Sequence, residues 1–129
     1  MNIPPALRYT KTHEWVKTAE GELVVGIAAH AQEELRDVVY VELPAPGKAL
    51  KAAEPAAVVE SVKAAFDIYA PVSGTVSRVN TALQTSPQLV NKDCYGDGWF
   101  FAITPADPHD VNALMTAADY LKAIEAAAH

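Results

Sequence analysis

The chain has 129 residues, half of them hydrophobic and 20% charged, with a formal net charge of −6 and a single cysteine, a length that fits one compact domain over residues 1–129. No apolar run is long enough to span a bilayer, the ten Lys and Arg are scattered rather than clustered against phosphate, and the lone Cys94 excludes an internal disulfide. Membrane and nucleic acid are therefore not expected partners, whereas an acidic chain is suited to basic surfaces on other proteins.

Residues 1–9 carry neither a basic stretch followed by an apolar core nor an Arg- and Ser-rich amphipathic stretch, so no export or organelle targeting is expected. Strand-like runs follow at residues 14–17, at 23–27 after the Glu20-Gly21 turn, and at 38–43. His13 and Trp15 alternate with Glu14, which predicts one buried face, with Trp15 in the core or a cleft wall. Residues 28–35 have high helix propensity but room for only two turns, predicting a short helix over one end of the sheet. Pro44-Ala45-Pro46-Gly47 reads as a loop.

Further apolar runs cover residues 56–62 and 66–71, and between them lies Lys63. This pattern places Lys63 at the tip of a β-hairpin, presented rather than packed. A lysine in a tight turn is by default a solvated charge. Here strands enclose it closely on both sides and its neighbours Val62 and Ala64 are small or apolar, so an enzyme that acylates one lysine has access, as in a swinging-arm carrier. Two more strands are predicted at 75–80, after Ser73-Gly74, and at 98–103, with a loop over 87–97. Seven short strands imply a sandwich or flattened barrel. Thr116-Ala117-Ala118-Asp119 has the pattern of a helix start, with Asp in place of the usual Glu or Gln. Ala117, Tyr120, Leu121 and Ile124 then share a face, predicting an amphipathic helix packed on the sheet, with Ala126-Ala127-Ala128-His129 as its fraying end.

No independent active site is visible. His13, His30, His109 and His129 show no metal-ligand spacing with one another or with Cys94, and no phosphate loop or nucleophile elbow occurs. Cys94 has no basic neighbour in sequence to activate its thiol. Ser61 lies in the hairpin and lacks the helix start that a phosphopantetheine serine uses.

Six segments together carry a resemblance: Arg8-Tyr9-Thr10-Lys11-Thr12-His13-Glu14-Trp15-Val16 with Val25-Gly26-Ile27; Ala31-Gln32-Glu33-Glu34-Leu35; Asp37-Val38-Val39-Tyr40-Val41-Glu42-Leu43-Pro44; Val59-Glu60-Ser61-Val62-Lys63-Ala64; Ala70-Pro71-Val72-Ser73-Gly74; and Tyr95-Gly96-Asp97-Gly98-Trp99. In this order, over residues 8–103, the chain resembles the H-protein family of the glycine cleavage system. The resemblance implies a mainly β, barrel-sandwich hybrid of the lipoyl- and biotinyl-carrier kind, with short flanking helices. Its core spans about residues 8–103 and a C-terminal helical segment about 108–127.

The same resemblance implies lipoic acid joined by an amide to the Lys63 side chain, and a carrier rather than an enzyme. The arm would take an aminomethyl group from glycine at the pyridoxal-phosphate-dependent P protein. It would pass the one-carbon unit to tetrahydrofolate at the T protein and be reoxidised by the flavin-dependent L protein, dihydrolipoamide dehydrogenase. Tethering keeps each intermediate at high effective concentration beside successive partners. Glu60 and Gly47 match positions linked to recognition by lipoylating enzymes. Glu14, Asp67 and, more weakly, Thr12 match a cleft for the loaded arm, where a carboxylate would hold the cationic amine. A monomer in a bacterial cytoplasm is expected, or in the mitochondrial matrix if the source is eukaryotic.

Arg36 and Ala53 stand where the family usually has glycine, Pro55-Ala56-Ala57 replaces a glycine-containing approach, and Cys94 replaces a common proline. These departures touch turns, not the lysine hairpin. A biotin carrier would share the fold, but that class expects methionines where Val62 and Ala64 stand. A lipoyl donor serving other dehydrogenase complexes, or an unmodified interaction domain, are the remaining alternatives.

Overall fold

The computed structural model describes residues 3–127. Its elements run in order as β1 (Arg8–Tyr9), β2 (Glu14–Ala19), β3 (Glu22–Ile27), α1 (Ala29–Leu35), β4 (Val38–Glu42), β5 (Ala49–Leu50), β6 (Pro55–Ser61), β7 (Ala65–Tyr69), β8 (Gly74–Val79), α2 (Ala82–Thr85), α3 (Leu89–Lys92) and β9 (Phe101–Pro105). A 3-10 helix at Pro108–Ala113 and α4 (Ala117–Ala127) complete the chain. The strands form a six-stranded sheet, β1-β2-β3-β9-β8-β5, and a three-stranded sheet, β4-β6-β7.

Local chemistry explains the turns that set this topology. β2 and β3 pair with Ala19 opposite Glu22, leaving Glu20 at φ 49° and Gly21 at φ 82° as the two turn residues. Two left-handed residues give the turn twist that matches a strand pair. Thr116 starts α4 as the sequence predicts: its hydroxyl accepts from the Asp119 amide at 3.2 Å.

The main core lies between the two sheets and includes Val16, Val25, Ile27, Val41, Val59, Ile68, Val76, Phe101 and Ile103. A second buried cluster, Tyr9, Trp15, Ala28 and Tyr120, lies apart from it. There the Tyr9 and Tyr120 rings stack at 4.6 Å, joining β1 to α4. β2 is consequently covered on both faces. Glu14, Trp15 and Val16 are all buried, whereas the alternation of His13, Glu14 and Trp15 predicts a single buried face.

The structure differs from the sequence-based elements at several points. Val62 belongs to the turn and is 69% exposed, because β6 ends at Ser61, whose side chain caps that turn. The last strand begins at Phe101 rather than at residue 98, since the Gly98 and Trp99 amides are committed to Asp93 and Gly96 carbonyls in the preceding turn. Residues 87–97, read as loop, contain α3. Leu121 is 45% exposed because the Tyr9–Tyr120 stack orients α4 with Tyr120 and Ile124 inward, and the next residue turns about 100° away. Part of the expected fraying end, Ala128 and His129, lies outside the described residues.

Candidate functional site

Lys63 sits at the tip of the β6–β7 hairpin and is exposed. Its ammonium has no ion-pair or hydrogen-bond partner among the described residues. Ser61 holds the turn: its hydroxyl oxygen accepts from the Lys63 amide at 3.2 Å and the Ala64 amide at 3.1 Å. The Ser61 amide donates to the Ala64 carbonyl at 2.8 Å, and the Val62 amide ties the tip to Asp37 at 3.1 Å. The backbone is thus fixed while the lysine side chain is free, as an accessible attachment point requires.

Around this tip, the outer face of the three-stranded sheet carries Glu60 between Tyr40 and Ala65, and Asp67 across from Val58 and Glu42. Glu60 is half-buried and Asp67 exposed. Gly47 lies elsewhere, in the turn before β5. Its amide donates to Val76 of β8 at 2.7 Å, and its φ of 89° needs glycine. The hairpin and the Gly47 turn therefore belong to different sheets.

One groove runs along β7 and a second adjoins it at Lys11, Thr12 and Tyr69. The first, about 280 Å³, is lined by Thr12, His13, Ile27, Leu35, Phe66 and Asp67 among others. The second, about 520 Å³, continues past Thr12 and Tyr69 to Glu14, Ala53 and Leu114. By strand rise β7 spans about 13 Å from the hairpin tip, and the smaller groove follows it from Phe66 to Tyr69.

Glu14 lines the larger groove, next to Thr12 and Tyr69, which line both. Its Oε1 accepts from the hydroxyls of Thr10 and Thr12, and its Oε2 accepts from the Tyr69 amide at 3.2 Å. Only 1% of the residue is exposed, so its carboxylate is shielded from bulk water. Burial pushes its carboxyl above the ordinary range, and the donors from Thr10, Thr12 and Tyr69 oppose that rise. Thr12 lines both grooves. Thus Glu14, Thr12 and Tyr69 are brought together, with Asp67 on the neighbouring groove.

Two features escape sequence reasoning. Thr10 sits on Glu14 although its strand parity is hidden by the turn between β1 and β2. His13, at φ 72°, joins three elements: its Nδ1 lies 2.8 Å from the Tyr120 hydroxyl and its ring 4.6 Å from that of His30. Burial, followed by the neighbouring His30, lowers its pKa. Cys94 is buried and its thiol is pushed up to about 11 by burial and then by Asp93, which leaves it poorly nucleophilic. Among the described residues no cluster of three or more His, Cys, Asp or Glu could hold a metal, and no helix is long and apolar enough to cross a membrane.

The sequence model of the family described as Glycine cleavage H-protein matches residues 7–127. Among curated proteins, the chain is 55% identical over 126 residues to the glycine cleavage system H protein of Chromobacterium violaceum, covering 97% of this chain and 98% of that one. It is 54% identical over 125 residues to the protein of the same name from Shewanella loihica, covering 96% and 97%. Among solved structures, a glycine cleavage system H protein from Mycobacterium marinum superposes with a TM-score of 0.85 at 38% identity, covering 93% of this chain and 97% of that one.

Proposed function

The chain belongs to the glycine cleavage H-protein family, and from that premise we propose that Lys63 carries its lipoyl group and that the chain serves as a mobile carrier among the P, T and L proteins. The observation that supports this reading most directly is the free Lys63 side chain on a turn pinned by Ser61. That arrangement fits the group: acylating an exposed amine displaces no partner, and a fixed backbone presents one lysine to the lipoylating enzyme.

Lys63 would hold the lipoyl group, whose dithiolane would supply the reversible disulfide chemistry that lets one arm serve the P, T and L proteins in turn. Lys63 anchors; it is neither acid nor base in the reaction. Glu60 and the Gly47 turn serve recognition by lipoylating enzymes. Glu14, Asp67 and Thr12 receive the cationic amine in the two adjoining grooves, where a carboxylate shielded from water binds an ammonium more strongly than one in bulk solvent. The chain acts as one carrier domain and a monomer, without catalysis of its own, in a bacterial cytoplasm, consistent with its bacterial relatives.

Two measurements test this. Intact mass after expression in a lipoylation-competent cell should show one lipoyl increment that Lys63→Arg removes, with anti-lipoyl antibody binding and no avidin binding. Lipoylated protein with purified P protein should support glycine-dependent exchange of labelled bicarbonate. A lipoylated chain that fails in exchange would be a lipoyl donor rather than a glycine cleavage carrier, and an unmodified Lys63 would overturn both readings.

A further inference from the structure

The Glu14 carboxylate is held by Thr10, which lines the larger groove beside it. Thr10 makes two bonds with the same residue: its hydroxyl oxygen accepts from the Glu14 amide at 3.1 Å, and its hydroxyl hydrogen is directed to Glu14 Oε1. Accepting the amide on one lone pair restricts where the hydroxyl hydrogen can point. The backbone repeats the pairing, since the Thr10 amide donates to the Glu14 carbonyl at 3.0 Å and the His13 amide to the Thr10 carbonyl at 3.1 Å. Thr12 also donates to Oε1, but it is exposed, so water can replace its hydroxyl. Thr10 is half-buried and locked at both ends.

We propose that Thr10 is a positioning residue: its hydroxyl fixes the Glu14 carboxylate as an anion facing the groove, ready for the ammonium of a loaded arm. The second half of that statement rests on the arm-cleft reading given above; the first half concerns this chain alone. The groups facing Glu14 leave this task to hydrogen bonds. Lys11 lines both grooves and His13 is adjacent in the turn; Tyr69 contributes its amide from β7, and Tyr120 approaches from α4. No cation is within ion-pair distance of Glu14 among the described residues. A buried carboxylate without a cation stays ionised only as far as its donors allow.

The test uses the full chain without its lipoyl group, following the Glu14 carboxyl carbon by NMR through a pH titration. Thr10→Val should raise the Glu14 midpoint by about one pH unit, Thr12→Val by clearly less, and Thr10→Ser should stay with the wild type. Should Thr10→Val fail to fold, Thr10→Ala makes the same comparison, with the thermal midpoint as the fold control. An unmoved midpoint in the Thr10 variant, or an equal shift from Thr12→Val, overturns the assignment. In the loaded protein, Thr10→Val and Glu14→Gln should both shorten the lifetime of the carried amine several-fold. A normal lifetime in Glu14→Gln would overturn the arm-cleft reading while the titration still decides whether Thr10 holds Glu14.

Discussion

Gly26 lies directly across the β2–β3 pair from Trp15, so close that a Cβ at Gly26 would fall 2.5 Å from the indole ring. Trp15 cannot move aside freely, because its indole N–H donates to the Cys94 carbonyl at 2.7 Å. Gly26→Ala should therefore destabilise the fold by about 1–3 kcal/mol, seen as a lower urea midpoint with an unchanged slope. Trp15→Phe should cost about 1 kcal/mol by leaving that carbonyl without its donor.

Ser61→Ala removes the side-chain acceptor for the Lys63 and Ala64 amides. Stability should fall by only about 1 kcal/mol, since the turn is exposed and water can reach both amides. The rate of lipoylation should fall more clearly, because the lysine is then offered from a looser tip. Initial rates with a purified lipoylating enzyme, set beside the thermal midpoint, separate the two effects.

Arg36 has φ 65° and ψ −141°, a conformation that costs a side chain dearly. Asn91 clasps this turn, accepting from the Val38 amide at 2.8 Å and donating to the Arg36 carbonyl. Arg36→Gly should stabilise the protein by about 1 kcal/mol, the relief of strain exceeding the added freedom of the unfolded chain. Ala53, at φ 69°, should respond to glycine in the same direction. Both positions are ones where the family pattern expects glycine, and both retain the left-handed backbone without it.

His13 makes stability depend on pH. Its folded pKa is below the ordinary 6.5, so between that lowered value and 6.5 the unfolded chain binds a proton that the folded chain does not. This contribution is complete above pH 6.5 and is lost as pH falls through the window. Glu14 works in the opposite sense, its stabilising contribution declining as pH rises from 4.5 towards its raised value. His13→Asn, which tolerates the φ of 72°, should lose about 1 kcal/mol at pH 7 with its Tyr120 bond and show a flatter stability profile below pH 6.5. Denaturant titrations at several pH values would check both effects.

The lysine hairpin was legible in sequence because apolar runs on both sides of Lys63 leave no other place for a turn. α4 was legible because Thr116 and Asp119 mark its start. β1 and β5 were not, since two residues carry no periodicity, and α2 and α3 are too short for a helical pattern to emerge. Glu14 was found as a residue but not as a buried one. Alternation assumes one wet face, but Tyr9 and Tyr120 cover Trp15 on one face of β2 while Thr10, Thr12 and the distant Tyr69 backbone close over Glu14 on the other. A separation of 107 residues likewise hid the His13–Tyr120 bond.

The Tyr9–Tyr120 stack also sets a timetable for synthesis. β2 and β3 can pair as soon as both are made, yet β3 waits for β9 at its other edge and Tyr9 waits for α4. The lysine hairpin is complete long before either arrives. A growing chain on the ribosome thus displays its modification loop while Trp15 and the β3 edge still lack their covers. Only release of the C-terminal segment closes the second cluster, and a chain truncated before residue 117, though it keeps β9 on the β3 edge, should leave Tyr9 and Trp15 uncovered and be drawn to chaperones or aggregates.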